Sequence, residues 1–151
     1  MEKRVQFSIF LANKPGVLSR IFRELAKAKL NVTSVAMMDS MEHGVLRMIV
    51  ENPLEARALF KKLNVPVTET DVLAATLANR PGAAADLCER LSTAHITIGY
   101  MYCTTGAKGG KTMIVLKVPD IRKAIKVIEG SKSTRRDMKV KLRRPAATNR
   151  R

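Results

Sequence analysis

Two stretches of this sequence place groups that could do chemistry at a fixed spacing. Leu11-Ala12-Asn13-Lys14-Pro15-Gly16 returns 66 residues later as Leu77-Ala78-Asn79-Arg80-Pro81-Gly82. In each, glycine permits a positive φ and proline fixes its own φ, so the chain can turn sharply there. A helix starting at such a turn, around Gly16 to Leu18 and Gly82 to Ala84, leaves its first amides unpaired, and its dipole favours a carboxylate. The side-chain oxygens of Asn13 and Asn79 can accept a hydrogen bond from an ammonium group. Amide donors for a carboxylate beside an acceptor for an ammonium suit a free α-amino acid. Turn chemistry alone also accounts for either stretch taken singly.

Other reactive residues have fewer companions. His43 falls in an expected hairpin and His95 just before an expected strand, neither with a Ser, Cys or carboxylate at motif spacing, so a solvated or capping role is expected for both. Thr105 to Thr112 ends in Gly-Lys-Thr, as a phosphate loop does. Its first required glycine is Thr105, however, and the segment leads into a strand where a phosphate-binding helix should begin. Cys88 and Cys103 have no metal-type spacing and read as buried thiols in a reducing compartment, which favours the cytoplasm. No catalytic residue, metal site or cofactor is expected.

The turns must be positioned by the elements around them. Between Leu11 and Ala58 the register of the repeat holds without a gap: Leu25 matches Leu91, Ala28 matches Ala94, Gly44 matches Gly110, Pro53 matches Pro119 and Ala58 matches Ala124. Two copies indicate a tandem duplication of a small unit. In the first, Val5 to Ala12 reads as a strand, and Val17, Leu18, Ile21, Phe22 and Leu25 recur at helical spacing. Strands follow at Asn31 to Met38 and Val45 to Val50, then a helix capped by Asn52 with Pro53 at its first position, then a strand at Val65 to Thr70. The second copy gives strand Asp71 to Ala78, helix Gly82 to Ala94, strand Ile96 to Cys103, strand Thr112 to Val118 and helix Asp120 to Ile128. An eighth strand is placed at Met138 to Leu142 on the alternation of Met138, Val140 and Leu142. The fold class is α+β: two tandem ferredoxin-like βαββαβ units, 1–70 and 71–142, with antiparallel sheets and helices on one face.

Charge is uneven. Up to Gly130 there are 19 basic and 12 acidic residues, whereas Ser131 to Arg151 holds 9 basic and one acidic, more than half of the +15 excess. The basic segment, with 143–151 expected as a disordered tail, could bind nucleic acid non-specifically, the alternative role for the chain. After Val5 to Ala12 comes Asn-Lys-Pro-Gly, not a signal-cleavage site, and no apolar run approaches the roughly 20 residues of a membrane span.

The duplicated Leu-Ala-Asn-(Lys/Arg)-Pro-Gly turns on βαββαβ units resemble ACT domains, small regulatory modules that bind amino acids. Leu46 to Val50 and Tyr100-Met101-Tyr102 are also similar to short proteins made of two such domains. The resemblance implies a non-catalytic regulatory protein that senses a free amino acid and is assembled as a homodimer. It implies a ligand held by Asn13, Lys14, Pro15, Gly16, Val17 and Leu18, and by Asn79, Arg80, Pro81, Gly82, Ala83 and Ala84, with help from a facing strand. Both copies carry Asn where many members carry Asp. Ala83-Ala84-Ala85 is smaller than Val17-Leu18-Ser19, so the two sites need not be equivalent. Arg47 falls on the helix-free face of its strand, ion-paired or solvated by default and a carboxylate clamp in the sharper reading. Tyr100 and Tyr102 share one face, for packing or ligand contact.

Overall fold

The computed structural model describes residues 1–12, 14–38, 43–107 and 111–130, with the backbone alone at 43 and 105–107. Its elements are β1 (Glu2–Ala12), α1 (Val17–Lys27), β2 (Val32–Met38), β3 (His43–Val50), α2 (Pro53–Lys62), β4 (Val67–Ala78), α3 (Ala83–Thr93), β5 (Tyr100–Ala107), β6 (Lys111–Lys117) and α4 (Ile121–Gly130). The caps follow from local sequence. The Asn52 side chain accepts from the Glu55 amide with Pro53 at the helix start. Lys29 and His95, equivalent in the repeat, close α1 and α3 in the left-handed conformation at φ 55° and 54°. Each is followed by an amide that reaches back to the helix, Leu30 to the Leu25 carbonyl and Ile96 to that of Leu91. His95 is thus a helix terminator, in line with the capping role expected.

The strands form one antiparallel sheet in the order β2-β3-β1-β4-β6-β5. The strands expected at Val65 to Thr70 and Asp71 to Ala78 are a single strand, β4, because no turn residue interrupts them. The first half of β4 pairs Val67 to Thr70 with Ile9 to Gln6, and so supplies the fourth strand of the first unit. The N-terminal end of β1 pairs Glu2 to Arg4 with Ala74 to Val72 and fills the same position beside the second unit. Val5 lies opposite Asp71, its own equivalent in the repeat. The sheet is therefore symmetric about that pair. The strand expected at Met138 to Leu142, residues 108–110 of the Thr105 to Thr112 stretch, and the basic segment lie outside the described residues.

The structure also shifts β5, which starts at Tyr100 and not at Ile96. Ile96 is apolar because it is buried in the core of the second unit, with Ile98 packed against it, not because either joins a ladder. Cys103 is exposed and Cys88 half-buried, against the expectation of buried thiols. Cys103 stands on β5, an edge strand of the sheet.

Each unit has its own core between helices and sheet. In the first, Phe7 and Phe60 are fully buried and meet edge to face, ring centres 5.3 Å apart at 63°. In the second, Leu73, Leu91 and Leu116 are fully buried. A third cluster, Ile49, Val72 and Val115 with Tyr100 and Tyr102, lies on the helix-free face. The Ser34 hydroxyl on β2 is 3.1 Å from that of Thr104 on β5, although these strands are at opposite ends of the sheet order. The sheet thus curls over its own helix-free face. Among the described residues no helix is long and apolar enough to cross a membrane.

Candidate functional site

The two Pro-Gly turns have congruent backbones. Lys14 donates its amide to the Ala12 carbonyl at 2.8 Å, and Arg80 to that of Ala78 at 2.9 Å. Gly16 and Gly82 cap α1 and α3 at φ +88° and +83°, and neither helix has a side-chain cap. The first intrahelical bonds run from Arg20 to the Gly16 carbonyl and from Asp86 to that of Gly82. The amides of Leu18 and Ser19, and of Ala84 and Ala85, therefore have no partner within their helices and point out of the helix start.

Each turn opens on a cleft, but on different sides. A cleft of about 310 Å³ beside the first is lined by Lys14, Pro15, Gly16, Val17 and Leu18, with Met37 of β2 across from them. All the expected residues of that turn meet there except Asn13, which lies outside the described residues. The second cleft, about 390 Å³, takes only Arg80 and Ala83 from the expected set. Its other walls include Thr76, Asp86, Arg90, Ile128 and Met1. Asn79, Pro81, Gly82 and Ala84 are exposed and do not line it. Met1 arrives because β1 begins alongside β4, a consequence of strand pairing that local sequence does not announce.

Charge separates the turns further. The Arg80 guanidinium is tied to the Asp86 carboxylate and donates to the Pro81 carbonyl at 3.0 Å. Asp86 is matched in the repeat by Arg20, so the same helix turn is acidic in one copy and basic in the other. Neither Lys14 nor Arg20 has a carboxylate within 4 Å among the described residues. The first turn is a net cationic mouth and the second an internally neutralised one. The residue missed was Asp86, and the repeat alignment carried its signal as a charge reversal. Among the described residues no three His, Cys, Asp or Glu stand together as metal ligands.

Arg47, Tyr100 and Tyr102 are brought together on the concave face. Gln6, fully buried, donates to the Tyr100 hydroxyl at 2.8 Å and accepts from that of Tyr102 at 3.0 Å. Burial pushes the Tyr102 phenol up to about 12, outweighing the opposing pull of the Ser34 hydroxyl and the Arg47 charge. The unfolded chain releases this proton near pH 10 and the folded one holds it, so stability is lost as pH rises from about 10 to about 12. Tyr102→Phe will flatten that part of the stability profile in denaturant titrations; an unchanged slope would show that Tyr102 does not carry it.

The sequence matches the family model described as an ACT domain pair over residues 3–135. A protein of Bacteroides thetaiotaomicron with a crystal structure is 32% identical, covering 86% of this chain and 89% of its own, at a TM-score of 0.79. The ligand-free regulatory subunit of aspartate kinase from Thermus thermophilus is similar in fold at 10% identity and a TM-score of 0.61, over 85% of this chain and 91% of that one. That from Thermus flavus is similar at 13% and 0.59, over 87% and 94%. No curated protein matches. With the repeated turns, the βαββ succession in both copies and a match over most of its length, the chain belongs to the family of ACT domain pairs.

Proposed function

We propose that this chain is a non-catalytic regulatory protein of the cytoplasm that binds a free amino acid at its Pro-Gly turns, with units 1–70 and 71–142 and a homodimeric assembly. The observation that carries this reading is the pair of uncapped helix starts, each behind a left-handed glycine, with a cleft beside each turn. At the first turn the ligand carboxylate sits on the amides of Leu18 and Ser19 in the field of Lys14 and Arg20, with its side chain against Leu18 and Met37. The ammonium lies near Asn13. At the second, Arg90 and the Arg80–Asp86 pair line the cleft and offer both signs of charge to a zwitterion, while Asn79 stands on the turn outside it. A ligand that fits one docking of the units better than another shifts that equilibrium by its differential affinity, which is how a sensor without chemistry acts.

The test is a thermal-shift screen against the twenty amino acids, in which a ligand at 100 times its Kd adds about 2.7 kcal/mol of stability. One chemical class of amino acid is expected to stabilise the chain. Gly16→Val strains the left-handed cap by roughly 1–2 kcal/mol, while a Cβ there meets no atom within 4 Å. The variant is expected to fold and to lose binding at its turn, whereas Gly82→Val retains it. Full affinity in a folded Gly16→Val protein would remove the first turn from the site.

A further inference from the structure

The concave face holds a cation whose buried Nε has no hydrogen-bond partner among the described residues. On that face Gln6, Ser8 and Phe10 of β1 lie opposite Ile49, Arg47 and Val45 of β3. Ser34, Ala36 and Met38 of β2 complete the same three rows. In the middle row the half-buried Arg47 guanidinium stacks 3.8 Å above the Tyr100 ring. Its Nε is buried with no hydrogen-bond partner, and no carboxylate stands within ion-pair distance of it among the described residues. The strand register puts Arg4, Lys111 and Lys117 on this face as well. Glu2 is the acid that shares it, and Glu2 is bound to Arg4 at 2.7 Å.

The next row outward is apolar and open. Val45 is flanked by Phe10 and Met38, which are 46% and 44% exposed. In the second unit the equivalents of Arg47, Val45, Phe10 and Met38 are Met113, Lys111, Thr76 and Thr104, so the arrangement occurs once in the chain. A stacked guanidinium bounded by an aromatic and aliphatic rim matches a carboxylate carrying a hydrocarbon chain. The basic surplus on the same face disfavours a ligand with an ammonium group.

We propose that the concave face is a second ligand site, in which Arg47 takes the carboxylate of an amphipathic monocarboxylate and Phe10, Val45 and Met38 take its hydrocarbon chain. This site shares no residue with the Pro-Gly turns and stands independently of the amino-acid reading.

Titration calorimetry of the full chain with octanoate, acetate, octanol and octylammonium tests it. Octanoate is expected to bind saturably at one site per chain, with the other three weaker by at least about tenfold, because the site needs both a charge-assisted bond and apolar burial. Arg47→Met, which places the second unit's residue in the first, is expected to weaken octanoate by at least about tenfold, and Arg47→Lys by less. Phe10→Ser, at an exposed position, is expected to weaken octanoate and leave acetate unchanged; it also decides the matter if Arg47→Met does not fold. The proposal is overturned if octanoate shows no saturable binding, if octanol binds as tightly, or if folded Arg47→Met or Phe10→Ser binds octanoate as the parent does. Gly16→Val leaves octanoate binding intact, so failure at one site is distinguishable from failure at the other.

Discussion

Phe60→Ala will lower the free energy of unfolding by about 3–5 kcal/mol. Phe60 has no exposed surface and its ring meets that of Phe7 edge to face, so truncation removes apolar burial, the aromatic contact and the filling of a space its neighbours cannot fully close. Against the roughly 5–15 kcal/mol of a typical domain, that loss leaves the variant close to unfolding. The chain has two tyrosines and no tryptophan, and Tyr100 and Tyr102 of the second unit pack against Gln6 and Arg47 of the first, so they report on the junction of the units. Because β4 belongs to both units, tyrosine fluorescence and far-ultraviolet circular dichroism are expected to move to the same lower denaturant midpoint. A tyrosine transition that stays where the parent's lies would show that the units unfold separately.

Leu73→Pro is expected to remove the cooperative fold altogether. Leu73 is fully buried and lies opposite Lys3 on one side and Leu116 on the other, at the one stretch where β4 is flanked by both neighbours. Proline brings no N–H to either ladder and is confined in sheets to edges and bulges. The lost ladder hydrogen bond is joined by loss of a core leucine, worth about 2–5 kcal/mol when truncated to alanine. The expected result is a chain without a sharp thermal transition or dispersed amide signals. A well-dispersed spectrum would mean that the two halves of the sheet do not depend on this junction.

Much of this arrangement is legible in the residues. The repeat located both turns, and Asn52-Pro53 marked the start of α2 by the chemistry that caps it. What local pattern could not supply was pairing at long range. Val65 to Ala78 has the alternation of two strands and the punctuation of one, and only the position of β1 shows that its two halves serve different units. The same blindness applies to the clefts, because Met1 and Ile128 reach the second turn through tertiary placement. It applies most to the concave face. The period of two put Arg47 on the helix-free side and Tyr100 with Tyr102, but the curl that brings the edge strands together rests on contacts some 70 to 96 residues apart, among them Ser34 with Thr104 and Tyr102 with Gln6. Ile96 and Ile98 mislead in the opposite direction, since core packing outside a strand leaves the same apolar alternation as a strand.

The pairing of Val5 with Asp71 has a historical consequence. A half-length ancestor with its first strand in this position would pair that strand with the same strand of another molecule, the two-fold axis passing beside residue 5. Joining two such genes end to end turns that axis into an internal one and requires no new contact. Once joined, the halves are no longer obliged to carry the same residue at related positions. A charge can then reverse on one side alone, as between Arg20 and Asp86, and a stacked arginine can arise opposite a methionine, as between Arg47 and Met113. A symmetric ancestor would have had to make each change twice. Fusion is what allows one molecule to hold several unlike surfaces on a scaffold that still repeats itself.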